Sequence, residues 1–172
     1  NFLDARLELR ITDSGRYSGS GRDDAEFYLS TNPGEPLKPM GSIASGGELS
    51  RVMLAIKTVL ADEEDTPTLI FDEIDTGISG ITAGKVGERL RLIGRSRQVI
   101  CITHLPQIAA VADYHYLIQK TAEDDHVRTW ITALDDDASV RELARMLGGA
   151  NITERILDSA REMKELAKKE AG

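Results

Sequence analysis

Three short stretches carry the residues with chemical potential. Ser45-Gly46-Gly47-Glu48 stands where helix signals begin. Asp72-Glu73 follows the apolar run Leu69-Ile70-Phe71. His104 follows a second apolar run that ends at Ile102-Thr103. A Gly-rich turn opening a helix offers backbone N–H groups and the positive end of a helix dipole, both suited to phosphate. Glycine there also permits close approach, because it lacks a Cβ. An apolar strand ending in two carboxylates suits a Mg²⁺-nucleotide: Asp72 would hold Mg²⁺ through water, since that ion dehydrates reluctantly. Glu73 would then orient and polarise an attacking water, and His104 would hold or sense a γ-phosphate. No phosphate-cradling loop of the G-x-x-x-x-G-K-[ST] type occurs in the chain, so these parts amount to half of an ATP site.

The elements that must position these groups follow from pattern. Thr68–Phe71 and Gln98–Thr103 read as short buried strands, and the segment from Ile78 to Gly94 contains an amphipathic helix with Val86, Leu90 and Ile93 on one face. Strand, helix, strand at this spacing predicts a βαβ crossover with two parallel strands. Both strands then end at the same sheet edge, where ligands of such folds sit, so Asp72 and Glu73 should come close to His104. Ser45 suits an N-cap, with Glu48 at the capping-box spacing. Leu49, Val52, Met53, Ile56, Lys57 and Leu60 predict the buried stripe of the helix it opens, closed by an acidic loop over Asp62–Thr66.

Upstream, Leu3, Ala5, Leu7, Leu9 and Ile11 alternate with polar residues and predict a half-buried strand over Phe2–Thr12. Asp13–Asp24, rich in Gly, Ser and Asp, reads as a turn or mobile loop before a strand at Ala25–Ser30. The prolines of Asn32–Pro39 exclude a helix there. Downstream, Pro106 falls in the first turn of a short helix. Tyr114–Lys120 and Val127–Ala133 alternate like a hairpin with Thr121–His126 as its turn, and Trp130 reads as packing. Val140, Leu143, Ala144 and Leu147 mark a helix ended by Gly148-Gly149, and Ile152–Ala167 a terminal helix whose stripe reads as core.

Composition narrows the function classes. At 172 residues, 41% hydrophobic and 29% charged, the chain suits one folded domain with a substantial core. A net charge of −8 argues against this segment wrapping a nucleic-acid backbone, and 5% aromatics against stacking platforms for single strands. The lone Cys101 has no disulfide partner and reads as a buried thiol in a reducing compartment. No apolar run reaches membrane-spanning length and no secretory signal is visible, so no membrane contact is expected. The chain starts at Asn1 rather than Met, which fits a fragment with further motifs upstream. Arg89, Arg91, Arg95 and Arg97 read as solvated cations at a helix C-terminus. Arg51 reads as a surface helix arginine.

With these motifs in place, the chain is similar to the heads of ABC-type ATPases in their SMC-like form. Ser45-Gly46-Gly47-Glu48 resembles the signature motif, Phe71-Asp72-Glu73-Ile74-Asp75 the Walker B strand and Ile102-Thr103-His104 the H-loop strand. More narrowly, four stretches resemble the C-terminal part of the RecN family: 30–39, 43–51, Asp72–Gly80 and Thr103–Gln107. The resemblance implies an α/β fold, the C-terminal lobe of an ABC-type head with a parallel core and flanking helices. It implies one lobe over 1–172: strands and a Pro-Gly loop in 1–44, the motifs in 45–112, a hairpin and terminal helices in 113–172. It further implies ATP and Mg²⁺ as cofactors, DNA double-strand break repair as the setting, and a Walker A loop on an N-terminal lobe beyond a coiled coil. Asp72, Glu73 and His104 would serve the ATP of their own head. Ser45, Gly46, Gly47 and Glu48 would meet the γ-phosphate on a second head of a homodimer, with DNA bound by the full-length protein in the cytoplasm at the nucleoid. Ser79 stands where many such heads carry the D-loop aspartate, so a hydroxyl would replace the usual carboxylate in the contact across the dimer. Two other readings share these parts: the nucleotide-binding subunit of a membrane transporter, disfavoured by Ile74-Asp75, and a non-enzymatic interaction lobe.

Overall fold

The computed structural model describes residues 4–42, 45–60, 66–123 and 126–169. Its centre is the predicted crossover: β4 (Thr68–Phe71), α2 (Gly80–Gly94) and β5 (Gln98–Cys101). The strands pair in parallel, Thr68 with Gln98 through Phe71 with Cys101. On α2, Ala83, Val86, Leu90 and Ile93 recur at helical spacing and are all buried. They pack with Leu54, Leu69, Phe71, Ile74 and Ile108 in one core, and Ile74 is fully enclosed.

The strands are not buried on both faces, contrary to the sequence expectation. Leu69 and Phe71 point into the core, but Ile70, Ile100 and Ile102 are exposed at 68%, 45% and 48%. Side chains alternate across a strand. The helices in contact cover one face, so every second apolar residue stays bare.

Ahead of the crossover lies α1 (Gly46–Val59), entered through Ser45 in extended geometry with its Oγ accepting the Glu48 N–H at 3.4 Å. Of the predicted stripe only Val52 is buried; Leu54, outside it, is the residue that enters the core. Leu49, Met53 and Lys57 instead line an open groove with Leu69, Ile70 and Phe71. The helix meets its neighbours on a flank of the stripe rather than along its centre. The expected acidic loop lies, apart from Thr66, outside the described residues.

The first sheet corrects another expectation. β1 (Arg6–Ser18) and β2 (Gly21–Ser30) form a long antiparallel ladder that runs through the residues expected to be a loop. Their polar side chains stitch it: Asp13 accepts from the Gly15 amide and the Arg22 guanidinium, each at 2.8 Å, and Ser14 Oγ donates to the Arg22 carbonyl at 2.7 Å. A register shift between Asp13 and Ser18, with Gly15 at φ +71°, absorbs the odd residues as a bulge. Leu7, Leu9 and Ile11 share a face as predicted, yet that face is open, each being more than half exposed. β3 (Lys38–Pro39) adds a two-residue edge against Tyr28 and Leu29, and a 3₁₀ turn at Met40–Ser42 leads on towards α1.

After β5, α3 (Pro106–Ala109) starts at Pro106, and β6 (His115–Glu123) pairs with β7 (His126–Leu134) in a hairpin longer than predicted. Trp130 is not packed: it is 51% exposed, and its Nε1 donates to Thr121 Oγ1 at 3.1 Å. α4 (Asp136–Gly148), capped by Asp135, and α5 (Glu154–Lys169) close a second core of Ala109, Ala110, Leu143, Ala144 and Ala160. Gly149, at φ +66°, ends α4 as its spacing predicts.

Candidate functional site

β4 delivers Asp72 and Glu73 to solvent at its C-terminal end, both exposed. Asp72 Oδ1 accepts the Glu73 N–H at 2.9 Å, and its carbonyl accepts Ser50 Oγ from α1 at 3.0 Å. Glu73 has φ +55°, the one non-glycine residue with positive φ among the described residues. Left-handed geometry costs an L-residue about 1–2 kcal/mol. It is held by the tight turn that follows, where the Thr76 amide donates to the Glu73 carbonyl at 3.1 Å and Gly77 adopts φ +73°. Strain of this kind gathers where a side chain must be aimed.

The start of α1 rests on that turn. A Cβ on Gly47 would meet the Glu73 carbonyl, the Thr76 carbonyl and Thr76 Cβ, each at 2.9 Å, so close packing alone requires glycine there. A Cβ on Gly46 would stand 2.6 Å from Glu73 Oε2. The first glycine therefore faces the Glu73 carboxylate, and the second is buried against backbone. One turn on, Arg51 Nη1 donates to the Ile74 carbonyl at 3.2 Å and the Thr76 carbonyl at 2.8 Å, while its Nε is buried without a partner. Burial lowers its pKa against the opposing pull of Glu48. Arg51 is thus a clamp on the turn rather than a surface arginine. Ser79 N-caps α2 in extended geometry but makes no side-chain cap bond. With Asn32, Glu48, Arg51, Gly77, Ile78 and Thr82 it lines an open cleft of about 470 Å³.

His104 arrives from β5 at the same edge, as the parallel topology predicts, but its partner is neither Asp72 nor Glu73. Its Nδ1 lies 2.9 Å from Asp75 Oδ2. The same oxygen accepts Thr103 Oγ1 at 2.6 Å and the His104 amide at 2.7 Å. Asp75 is 3% exposed, whereas the His104 side chain is 73% exposed. Burial pushes the Asp75 carboxyl up, but the bonds from Thr103 and His104, with the nearby His104 charge, outweigh it and hold the group below the ordinary aspartate value. Cys101, half-buried behind this edge, has its thiol pushed up to about 12 by burial and by the charges of Asp75 and Asp72, which leaves it inert as a nucleophile.

Sequence reasoning missed Asp75 and undervalued Arg51. A signal for Asp75 existed: it follows Ile74 in the same stretch as Asp72 and Glu73, and a carboxylate beside a core residue needs donors. For Arg51 no spacing signal marks backbone carbonyls as its targets. Among the described residues no group of three or more His, Cys, Asp or Glu is arranged to hold a metal. A single exposed carboxylate such as Asp72 still suits Mg²⁺, which keeps several waters and shares its shell with phosphates. No described helix is long and apolar enough to cross a membrane.

The chain is 49% identical to the DNA repair protein RecN of Halalkalibacterium halodurans over 148 residues, 86% of this chain and 26% of that protein. It is 48% identical to RecN of Vibrio cholerae over 160 residues, 92% of this chain and 29% of that protein, and 47% identical to RecN of Rickettsia felis over 162 residues, 94% and 30%. The chain thus spans between a quarter and a third of the length of these relatives. No family model matches it. Among solved structures, the Smc head domain with a coiled coil and joint derived from Pyrococcus yayanosii superposes with a TM-score of 0.57 at 21% identity, covering 83% of this chain and 26% of that one. The Smc head domain with an extended coiled coil from Pyrococcus furiosus, bound to the C-terminal domain of ScpA, gives 0.52 at 20%, covering 84% and 34%. These two likenesses show the fold: an α/β lobe of the kind found in Smc head domains.

Proposed function

We propose, from a chain that belongs to the RecN family and forms an SMC-type head lobe, that it supplies one side of a divided ATPase site in a DNA-repair protein. The observation that carries this reading is one crowded edge. The exposed carboxylates of Asp72 and Glu73, the Asp75-bound ring of His104 and the Gly-rich start of α1 all gather there. In this reading 1–172 is one lobe, and the missing phosphate loop lies on an N-terminal lobe of the same polypeptide. The bare apolar faces of β1, β4 and β5 would be covered by that lobe.

Each group then has a distinct task. Asp72 would hold magnesium through water, and the ion when bound would supply charge neutralisation to the phosphates. Glu73, its backbone fixed in the left-handed region, would orient the attacking water and accept its proton. His104 would bond the γ-phosphate through its outward nitrogen. Ser45, Gly46, Gly47 and Glu48 would face the γ-phosphate of ATP on a second head, so hydrolysis requires a head-to-head homodimer. The Glu73 carboxylate lies against Gly46, which supports coupling between a head's own water-activating group and the surface it offers its partner. Ser79, on the cleft below, would contribute a hydroxyl where related heads use a carboxylate. DNA contact belongs to the full-length protein, in the cytoplasm at the nucleoid.

Glu73→Gln in the complete protein tests the reading. Turnover should fall by about 10²-fold or more, with ATP-bound head dimers accumulating on size-exclusion chromatography. Unchanged hydrolysis would sink the assigned role. Ser45→Arg should abolish ATP-dependent dimerisation while one head still binds ATP; loss of nucleotide binding by the monomer would contradict action on the opposite head.

A further inference from the structure

The geometry points to Asp75 as a positioning residue: it fixes the ring orientation and tautomer of His104 and presents Nε2 to the substrate side of the edge. This rests on the reading of His104 as a γ-phosphate ligand given above.

Asp75 Oδ2 accepts Thr103 Oγ1 at 2.6 Å and the His104 amide at 2.7 Å, and His104 Nδ1 stands 2.9 Å from the same oxygen as an ion-pair contact. The Thr103 hydroxyl accepts the Leu105 amide at 3.0 Å, so its own hydrogen is directed to Asp75. The amide is an obligatory donor. Held below its ordinary pKa, Asp75 is ionised and is an acceptor only. A ring nitrogen 2.9 Å from such an oxygen must carry a hydrogen, so Nδ1 is protonated. The other nitrogen, Nε2, is then an acceptor in the neutral ring and can donate to a γ-phosphate oxygen only in the cationic one. The nearly enclosed carboxylate and the open ring divide the work as an orienting group and an acting group. The same logic makes a carboxylate behind a histidine fix its tautomer and ring orientation. Asp75 lies four residues after β4 and His104 three residues after β5, so the hydrogen bonds also tie the ends of the two parallel strands together.

Two measurements on the complete protein test this. In ¹⁵N-histidine-labelled protein, with the His104 signals identified by their loss in His104→Gln, the ring should show protonated Nδ1. Signals of the Nε2–H tautomer would overturn the proposal. In steady-state ATP hydrolysis, Asp75→Ala should lower kcat about tenfold with KM for ATP within about twofold, and the Asp75→Ala/His104→Ala double variant should be no slower than His104→Ala. Additive losses would overturn it. Asp75→Asn keeps an acceptor oxygen for Thr103 and the amide and so preserves the fold; it should lower kcat with a melting temperature only a few degrees lower, and wild-type kcat in this variant would also overturn the proposal. If His104→Ala leaves kcat unchanged while the wild-type ring is protonated at Nδ1, the positioning stands and the γ-phosphate role of His104 fails.

Discussion

The ends of β4 and β5 and the two hairpins make opposite use of similar apolar patterns. At the crossover, Leu69, Phe71 and Ile74 are sealed by α2, and the turn beyond them is bound by Arg51 from one side and the Thr103–His104 loop from the other. In the β1–β2 and β6–β7 hairpins, alternation is just as regular, yet Leu9, Ile11, Ile118 and Ile131 stay at least half exposed. Alternation encodes that a face is apolar. It does not encode whether the cover comes from the same segment. The candidate site lies where the segment covers its own strands, which is where side chains can be held to a fixed geometry.

The sharpest way to break this contrast is to empty the crossover core. Ile74→Ala removes a fully enclosed side chain and should destabilise the chain by about 2–5 kcal/mol in denaturant unfolding; a loss below about 1 kcal/mol would mean the turn is held by its hydrogen bonds alone. Gly47→Ala should follow, at about 1–3 kcal/mol, because the new methyl meets backbone oxygens at 2.9 Å rather than a flexible side chain. Gly46→Ala meets only the tip of Glu73 and should cost less in melting temperature. Acid sharpens the picture next. The folded pKa of Asp75 lies below its unfolded value, so its contribution is full above the unfolded value of about 3.9 and fades as pH falls through the folded one. An acid titration followed by circular dichroism should show Asp75→Asn removing part of that slope. Smallest of all, Ile11→Thr on the open hairpin face should move stability by no more than about 0.5 kcal/mol; a larger loss would show that the face is covered.

Much of the crossover was legible because its signals are local: β4, α2, β5, the Ser45 cap and Pro106 follow from periodicity, caps and proline chemistry. Loop or strand at Asp13–Asp24 was not legible, because Asp, Ser and Gly favour turns by hydrogen-bonding nearby backbone, and here the same groups bond across a ladder. The α1 stripe was legible to within one flank, since the pattern gives an apolar arc but not the side from which α2 approaches. Of the candidate site, the shared edge of Asp72, Glu73 and His104 followed from parallel topology. That His104 leans on Asp75 did not, because it depends on which carboxylate the turn after β4 swings inward. That is decided by the left-handed Glu73 and the Gly77 turn.

The left-handed backbone of Glu73 also bears on how this segment changes over generations. Glycine at that position would relieve the strain without disturbing the turn, so mutation towards the more stable fold leads away from the carboxylate. A lineage that retained the architecture but no longer required Glu73 would meet selection for stability and drift towards glycine or asparagine at this site. Glutamate at 73 thus stands in a conformation that disfavours it by about 1–2 kcal/mol, a cost that glycine would remove.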